Sequence, residues 1–366
     1  MRIVSTSYNK ILEFNNPQDW LKRISFYTGI LEQLALQNEM ISFEHIDYEG
    51  DLLQNAVQYH FIPQKKMTKI FPYKKHCLIK KMQPDMVMIN GFIYPLQIIQ
   101  LRLKLGSGIK IIVINHAEKP FTGLRKVLQR LADRCVNMYF FTSAETGAAW
   151  VQRGIIASEH KIAEVMEASS FFYTMNKEKA LARTGANGSP VFLWVGRLDA
   201  NKDPLTVIKA FGAFINHQPS AKLYMIYHTE ELKQEILFAC EKNNDLKKAV
   251  KLVGKVPHVE MQYWYNSADF IISASHYEGS GVAVCEAMSC GCVPLLTNIQ
   301  SFRKMTGHGK CGLLFEPGND AALLKVLLQT AEMDIEKEKN KVLQQFNEEL
   351  SFEAIAKKIE QVIALI

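Results

Sequence analysis

The 366-residue sequence predicts an α/β protein built from two doubly wound domains. Three observations predict it. Short apolar strand candidates alternate with amphipathic helical patterns along most of the chain. The alternation occurs twice, on either side of a Gly-, Asn-, Ser- and Pro-rich break at 184–190. The length also suits two hydrophobic cores of about 180 residues better than one.

In the first half the strand candidates are 3–7, 41–47, 85–90, 110–114, 138–142 and 162–166. Helical patterns lie between several of them, at 21–37, 96–105, 124–134 and 144–153. In the second half the candidates are 191–195, 223–227, 250–253, 270–273, 293–296 and 312–315. They read as continuous apolar runs, which is the mark of parallel strands covered on both faces. The expected domains are 1–183 and 184–350, followed by a closing helix at 351–366. Ser351 suits its N-cap, and Phe352, Ile355, Ile359, Val362 and Ile363 share one face.

Composition narrows the classes. Apolar content is 48% and charged content 22%, as in globular proteins. No apolar run approaches the ~20 residues of a membrane-spanning helix. Met1-Arg-Ile-Val-Ser-Thr-Ser-Tyr8 reads as a first strand and lacks the apolar core of a secretory signal, so the expected location is cytoplasmic. The seven cysteines are scattered, and Cys290-Gly-Cys292 is too tight for a zinc knuckle. Reduced, structural cysteines and no metal site are expected.

Charge is uneven. Residues 1–180 carry 23 Lys and Arg against 16 Asp and Glu, whereas 181–366 carry 20 against 21. The excess positive charge therefore sits in the first half, which suggests an anionic partner there. From Leu52 to Pro84 there are seven lysines, at 65, 66, 69, 74, 75, 80 and 81, and no acid. Phe61, Ile62, Met67, Ile70, Phe71 and Tyr73 interleave with them. Two readings stand: a solvated loop, or peripheral contact through 65–81 with an anionic membrane or lipid-linked acceptor. Nothing reads as a nucleic-acid-binding fold.

The densest chemistry lies in Tyr277-Glu278-Gly279-Ser280-Gly281-Val282-Ala283-Val284-Cys285-Glu286. It follows an apolar strand and leads into a helix. Backbone N–H groups at such a helix start carry partial positive charge and attract phosphate. A carboxylate on each side of the turn repels phosphate but accepts hydrogen bonds from hydroxyls. A diphosphate with a hydroxylated ring at each end, as in a nucleotide-sugar, fits that pattern. The second constellation is Gly196-Arg197-Leu198-Asp199-Ala200-Asn201-Lys202-Asp203-Pro204, a strand end with two cations before a helix start. Arg197 and Lys202 read either as solvated loop charges or as a clamp on the diphosphate. His116 ends an apolar strand, and reads either as a satisfied polar residue or as a site residue.

These blocks carry a resemblance. Gly196-Arg197-Leu198 with Lys202, then Leu252-Val253-Gly254-Lys255-Val256, then Glu278-Gly-Ser-Gly281 with Glu286-Ala-Met-Ser-Cys-Gly291, then Gly312-Leu-Leu-Phe-Glu-Pro-Gly318, resemble in order and spacing the C-terminal domain of the family 4 retaining glycosyltransferases. In the first half, Gln83-Pro84-Asp85-Met-Val-Met-Ile89 and Ile109-Lys-Ile-Ile-Val-Ile-Asn-His116 resemble the family more loosely.

The resemblance implies a GT-B fold, two Rossmann-like domains facing a central cleft. It implies metal-independent, retaining transfer of a sugar from a nucleotide-diphosphate sugar to an acceptor hydroxyl, in polysaccharide or glycoconjugate synthesis, with no cofactor. Arg197 and Lys202 would neutralise the leaving diphosphate. Backbone at Ser280, Gly281 and Val282 would hold the distal phosphate, Glu286 the ribose and Glu278 the transferred sugar. The base would lie near Gly254–Val256, mostly against backbone, Gly196 would also belong to the donor site, and His116 would face the sugar. The sequence departs from the family after the first strand, where Ser5-Thr-Ser-Tyr-Asn-Lys10 lacks glycine, and at Glu167-Ala-Ser-Ser-Phe171, where an Asn-Gly-Val-type turn is usual. A sugar-nucleotide epimerase and a catalytically silent binding protein stand as alternatives.

Overall fold

The computed structural model describes residues 1–9, 11, 13–63 and 70–366. The chain forms two compact units, Met1–Ser169 with Phe352–Ile366, and Ser170–Ser351.

The first unit is built on an eight-stranded sheet. Its strands are β1 (Arg2–Ser7), β2 (Glu39–Glu44), β3 (Gly50–Gln54), β4 (Val57–Phe61), β5 (Met86–Asn90), β6 (Lys110–Ile114), β7 (Met138–Phe141) and β8 (Ile162–Glu164). They lie in the order β3-β4-β2-β1-β5-β6-β7-β8. All neighbours are parallel except β3 and β4, which form an antiparallel hairpin at the edge. The sequence reading did not foresee that hairpin, because its turn residues are Asn55 and Ala56. Both have positive φ, 49° and 65°, where a Gly second residue would have announced the turn.

The segment from Leu52 to Pro84 is therefore not one solvated loop: it contains β3, β4 and the helix Tyr73–Lys81. Lys75 is buried there, its Nζ donating to Ser7 O at 2.6 Å and lying 3.7 Å above the Tyr8 ring. Lys65, Lys66, Met67 and Lys69 lie outside the described residues.

The helical pattern expected at 21–37 is two helices, Pro17–Arg23 and Ser25–Leu34. The first begins early because the Asn16 side chain accepts from the Gln18 and Asp19 amides and Pro17 occupies the first helical position. The closing helix, Phe352–Ile363, is amphipathic as expected and packs in the first unit, against Ser25–Leu34. Gly29 makes room for it: a Cβ there would come within 2.6 Å of the Phe352 ring.

The second unit carries a six-stranded, wholly parallel sheet. Its strands are β9 (Val191–Gly196), β10 (Lys222–Tyr227), β11 (Val250–Gly254), β12 (Phe270–Ser273), β13 (Val293–Thr297) and β14 (Leu313–Phe315), all six close to the expected positions. The order is β11-β10-β9-β12-β13-β14. Chain progression reverses between β9 and β12, which makes their junction the topological switch point, where open α/β sheets place ligands. Phe192 and Phe270 stack across the junction at 5.1 Å between ring centroids, and Trp194 is buried beside them. Phe192 pairs with Phe270 and Trp194 with Ile272, so the loops after β9 and β12 leave the sheet side by side.

The unit boundary falls before the expected 183/184. The helix Lys177–Thr184 belongs with the second unit, where it packs on the helix His258–Ser267. Lys177 pairs with Asp269, and Arg183 bonds Glu260 at 2.7 Å. Asn266 holds the chain upstream of that helix, accepting from Met175 N at 2.7 Å and donating to Tyr173 O at 3.0 Å.

The packing of Phe352 makes the closing helix part of the first unit's stability. Phe352→Ala should lower the unfolding free energy of that unit by about 3 kcal/mol, read from urea titration. Leu365→Ala, at the exposed chain end, should leave it within about 0.5 kcal/mol.

Candidate functional site

Lys202 and Glu278 meet. The Lys202 ammonium, on the loop after β9, is ion-paired with the Glu278 carboxylate, on the loop after β12, and both side chains are largely shielded from solvent. The sequence reading gave them separate tasks, one toward phosphate and one toward sugar hydroxyls. The switch-point geometry brings them to one place.

The supporting bonds run between the same two loops. Asn201 Nδ2 donates to Tyr277 O at 3.0 Å, and the His276 amide donates to Asn201 O at 2.8 Å. Asp203 caps the helix Pro204–Phe214, accepting from Thr206 N at 3.2 Å and from Thr206 Oγ1 at 2.7 Å. Its carboxylate also lies 3.2 Å from His276 Nε2. His276 thus shapes the loop beside Glu278. Asp199 accepts from the Lys202 amide at 2.9 Å, and its carboxylate lies 3.1 Å from Arg197 Nε as an ion pair. Arg197 is about half exposed, at 54% of its side chain, and the ion pair through Nε does not engage its two terminal nitrogens. Gly196 ends β9 directly before it, and a Cβ there would meet Trp194 at 3.2 Å.

The glycine-rich turn closes into the helix Val282–Ser289 through Gly281, whose φ of 55° and ψ of 49° are left-handed. That conformation favours glycine, and space demands it as well, since a Cβ would lie 2.9 Å from Phe302. Val284 N and Cys285 N both bond Gly281 O, at 2.8 and 3.0 Å. The amides of Gly281, Val282 and Ala283 therefore precede the helical ladder and point out of the helix start, with Ser280 on the turn before them.

Glu286, one turn into that helix, is buried. Its oxygens accept from Tyr265 OH at 2.8 Å and lie 2.6 Å from His258 Nε2. Burial, and then the Glu286 carboxylate, push the Tyr265 phenol well above its usual range, so it stays protonated and donates. Tyr265 is wholly buried and fixes one carboxylate oxygen, whereas His258 is exposed and bonds the other from the rim. Phe172 packs at a tilt against both rings, 5.0 Å from His258 and 6.0 Å from Tyr265 between centroids. Neither Tyr265 nor His258 was singled out from sequence, since both sit in an ordinary-looking helix far along the chain from Glu286. Gly254, at the end of β11, has φ of 83° and no atom within 4 Å of a notional Cβ, so its backbone is open, and Val256 packs partly against the core below.

His116 belongs to the first unit. It follows β6 and is not a lone histidine. Nδ1 bonds the Glu167 carboxylate, Nε2 lies 3.1 Å from Asn90 Oδ1, and the backbone amide donates to Glu118 at 2.8 Å. Asn90 in turn donates through Nδ2 to Tyr27 OH at 3.1 Å and Ser5 Oγ at 3.2 Å, which turns its oxygen toward the histidine. Both ring nitrogens thus face acceptors, an arrangement that suits imidazolium. Burial opposes the charge, but Glu167, by field and hydrogen bond, and then Glu118 outweigh it and raise the His116 pKa above its usual 6.5. Glu167 stands where the sequence departs from the family's usual turn, and the departure supplies the histidine's partner.

The raised pKa has a signed consequence. The stability it contributes is fully present below pH 6.5, the ordinary histidine value, and is lost as pH rises through the higher folded value. Side-chain NMR should show one histidine titrating above pH 6.5, with its signal absent in His116→Gln. Glu167→Gln should return that titration toward 6.5 or below.

Comparisons with known proteins place this geometry. Residues 176–350 match the family described as glycosyl transferases group 1. A GDP-mannose:cellobiosyl-diphosphopolyprenol alpha-mannosyltransferase of Xanthomonas campestris is 24% identical over 189 residues, 50% of this chain and 50% of that protein. A D-inositol 3-phosphate glycosyltransferase of Pseudarthrobacter chlorophenolicus is 24% identical over 223 residues, 59% of this chain and 52% of that one. The chain thus spans about half the length of these curated relatives. Among solved structures, Thermosynechococcus elongatus sucrose-phosphate synthase aligns over 100% of this chain and 99% of its own, with TM-score 0.71 and 16% identity. Anabaena HepE in complex with UDP aligns over 100% of both chains, with TM-score 0.73 and 14% identity. The fold is that of the GT-B glycosyltransferases, and residues 176–350 are similar to the glycosyl transferases group 1 family.

Proposed function

We propose that this chain is a retaining, metal-independent glycosyltransferase that moves a sugar from a nucleotide-diphosphate sugar to an acceptor hydroxyl. The observation that carries the reading is the switch-point cluster: the Lys202–Glu278 pair, the Arg197 fork and the Gly281 helix start, all on loops after adjacent strands. The similarity to relatives that include an alpha-mannosyltransferase supports the reaction class, and the UDP complex of HepE supports a nucleotide donor.

In the transfer the bond between the anomeric carbon and the phosphate oxygen breaks, and its electron pair leaves with the diphosphate. The acceptor oxygen bonds the anomeric carbon and passes its proton to the departing diphosphate oxygen. Charge grows on the diphosphate as the sugar becomes cation-like. Arg197, Lys202 and the outward amides at Gly281, Val282 and Ala283 are fixed before the reaction, so they stabilise that charge without reorganising. When the diphosphate takes the Lys202 ammonium, Glu278 is released toward the sugar hydroxyls. At Glu286, Tyr265 holds one oxygen and rim-exposed His258 the other, so a ribose hydroxyl replaces His258 rather than Tyr265. The acceptor class we propose is a lipid-linked or polysaccharide glycoconjugate, in line with the diphosphopolyprenol named for one relative.

Arg197→Ala should lower kcat by about 10²-fold or more with the fold intact, and a loss under about threefold would contradict the electrostatic role. Transfer should be unchanged by EDTA, and the product linkage read by NMR should keep the donor's anomeric configuration. Donor incubated without acceptor should be hydrolysed slowly at most; conversion to another sugar would make the chain an epimerase instead.

A further inference from the structure

The helix Gly123–Asp133 is inside out. Its buried residues are Gln129, Ala132 and Asp133, two of them polar: Gln129 donates through Nε2 to Phe92 O at 3.0 Å and accepts at Oε1 from Phe121 N at 2.9 Å. Asp133 is also buried and accepts from Lys161 Nζ at 3.1 Å. The apolar residues face water instead. Leu124, Val127, Leu128 and Leu131 fall on one stripe by helical spacing and are all exposed, Leu124 at 88%. A soluble helix buries such a stripe; this one has turned it outward.

Cations flank the stripe. Between 119 and 134 there are five basic residues, Lys119, Arg125, Lys126, Arg130 and Arg134, and the one acid, Asp133, points inward. The neighbouring helix Pro95–Leu105 also carries an exposed leucine, Leu103, at 80%. Lys104 Nζ there lies 4.5 Å above the ring of Tyr73, which opens the next helix, Tyr73–Lys81, beside exposed Phe71, Lys74 and Leu78.

We propose that this face of the first unit docks on an anionic phospholipid bilayer, with the leucines of Gly123–Asp133 in the headgroup–acyl boundary and the arginines and lysines on lipid phosphates. An exposed apolar stripe with a cationic rim is what an interfacial helix presents to such a surface. A second copy of the chain would set two cationic rims against each other, like charge facing like. A polyanion without an apolar phase would leave the leucines in water. No helix among the described residues is long and apolar enough to cross a membrane, so the contact proposed is peripheral. It differs from the sequence expectation of 65–81 as the contact: Lys75 is buried, and the leucine-bearing helix lies further along the chain.

The test is flotation of the full chain with phosphatidylcholine vesicles, with and without phosphatidylglycerol. The wild type should float with the anionic vesicles and be released by salt. The double variant Leu124→Glu/Leu128→Glu should lower its partition coefficient about tenfold or more. Its circular dichroism and donor hydrolysis should stay unchanged, since both residues are solvent-facing and outside the donor cluster. In Leu128→Trp, brominated anionic lipid should quench the added tryptophan. Three outcomes would overturn the proposal: no binding of the wild type to anionic vesicles, equal binding by the double variant, or a concentration-dependent dimer that the double variant abolishes. The last would assign the face to a second copy. None of these bears on whether the chain transfers sugar.

Discussion

The contact between Lys202 and Glu278 organises the second unit's functional end. It exists because β9 and β12 are neighbours although more than seventy residues of chain separate them. Their loops are tied by Asn201 to Tyr277, by His276 to Asn201 and by Asp203 to His276, and the same Asp203 caps the helix that follows β9. Helix capping, loop shape and charge placement are thus one network. Its opposite charges offset each other, which lowers the cost of holding both away from water. In the function proposed above, an arriving anion would take the ammonium and free the carboxylate as an acceptor.

The first unit manages polarity differently. Beyond the carboxyl ends of β1 and β2 lies a buried polar cluster. Lys75 donates to Ser7 O and to His45 Nε2, and His45 Nδ1 lies 2.9 Å from Ile62 O. His76 Nε2 meets Tyr8 OH at 2.9 Å. Burial, and then Lys75, pull His45 and His76 down to about 3, so both rings are neutral, and burial holds Lys75 well below its usual value. Such a network keeps its shape only while every member is satisfied. Gln129 and Asp133 repeat the arrangement under an outer helix, whose leucines are left for the surface. Polar residues inside and apolar residues outside follow from one choice of helix orientation.

Much of this was legible in the sequence, for identifiable reasons. Parallel strands buried on both faces are written as apolar runs, so all six of the second unit and six of the first were found near their places. The β3–β4 hairpin was hidden because Ala56 occupies a left-handed position that usually goes to glycine. The unit boundary differs from the expected one because Thr184 to Pro190 looks like a linker, whereas Arg183 and Lys177 anchor the preceding helix to residues 77 and 92 positions on. At the site, Glu278, Lys202 and Gly281 could be named because turn chemistry is local. Tyr265 and Glu167 could not, because each matters only through a partner that the fold brings near. The outward leucines were legible as a helix but not as a surface, since periodicity gives a stripe and not the direction it faces.

The central claim is that the Lys202–Glu278 pair is the receptor for a nucleoside diphosphate. Calorimetric titration of UDP and GDP into the wild type, Lys202→Met and Glu278→Gln tests it most directly. The account predicts that Lys202→Met weakens the better-bound diphosphate by about tenfold or more, while Glu278→Gln, which frees the ammonium, binds it at least as tightly as the wild type. Equal affinity in the wild type and Lys202→Met would contradict it.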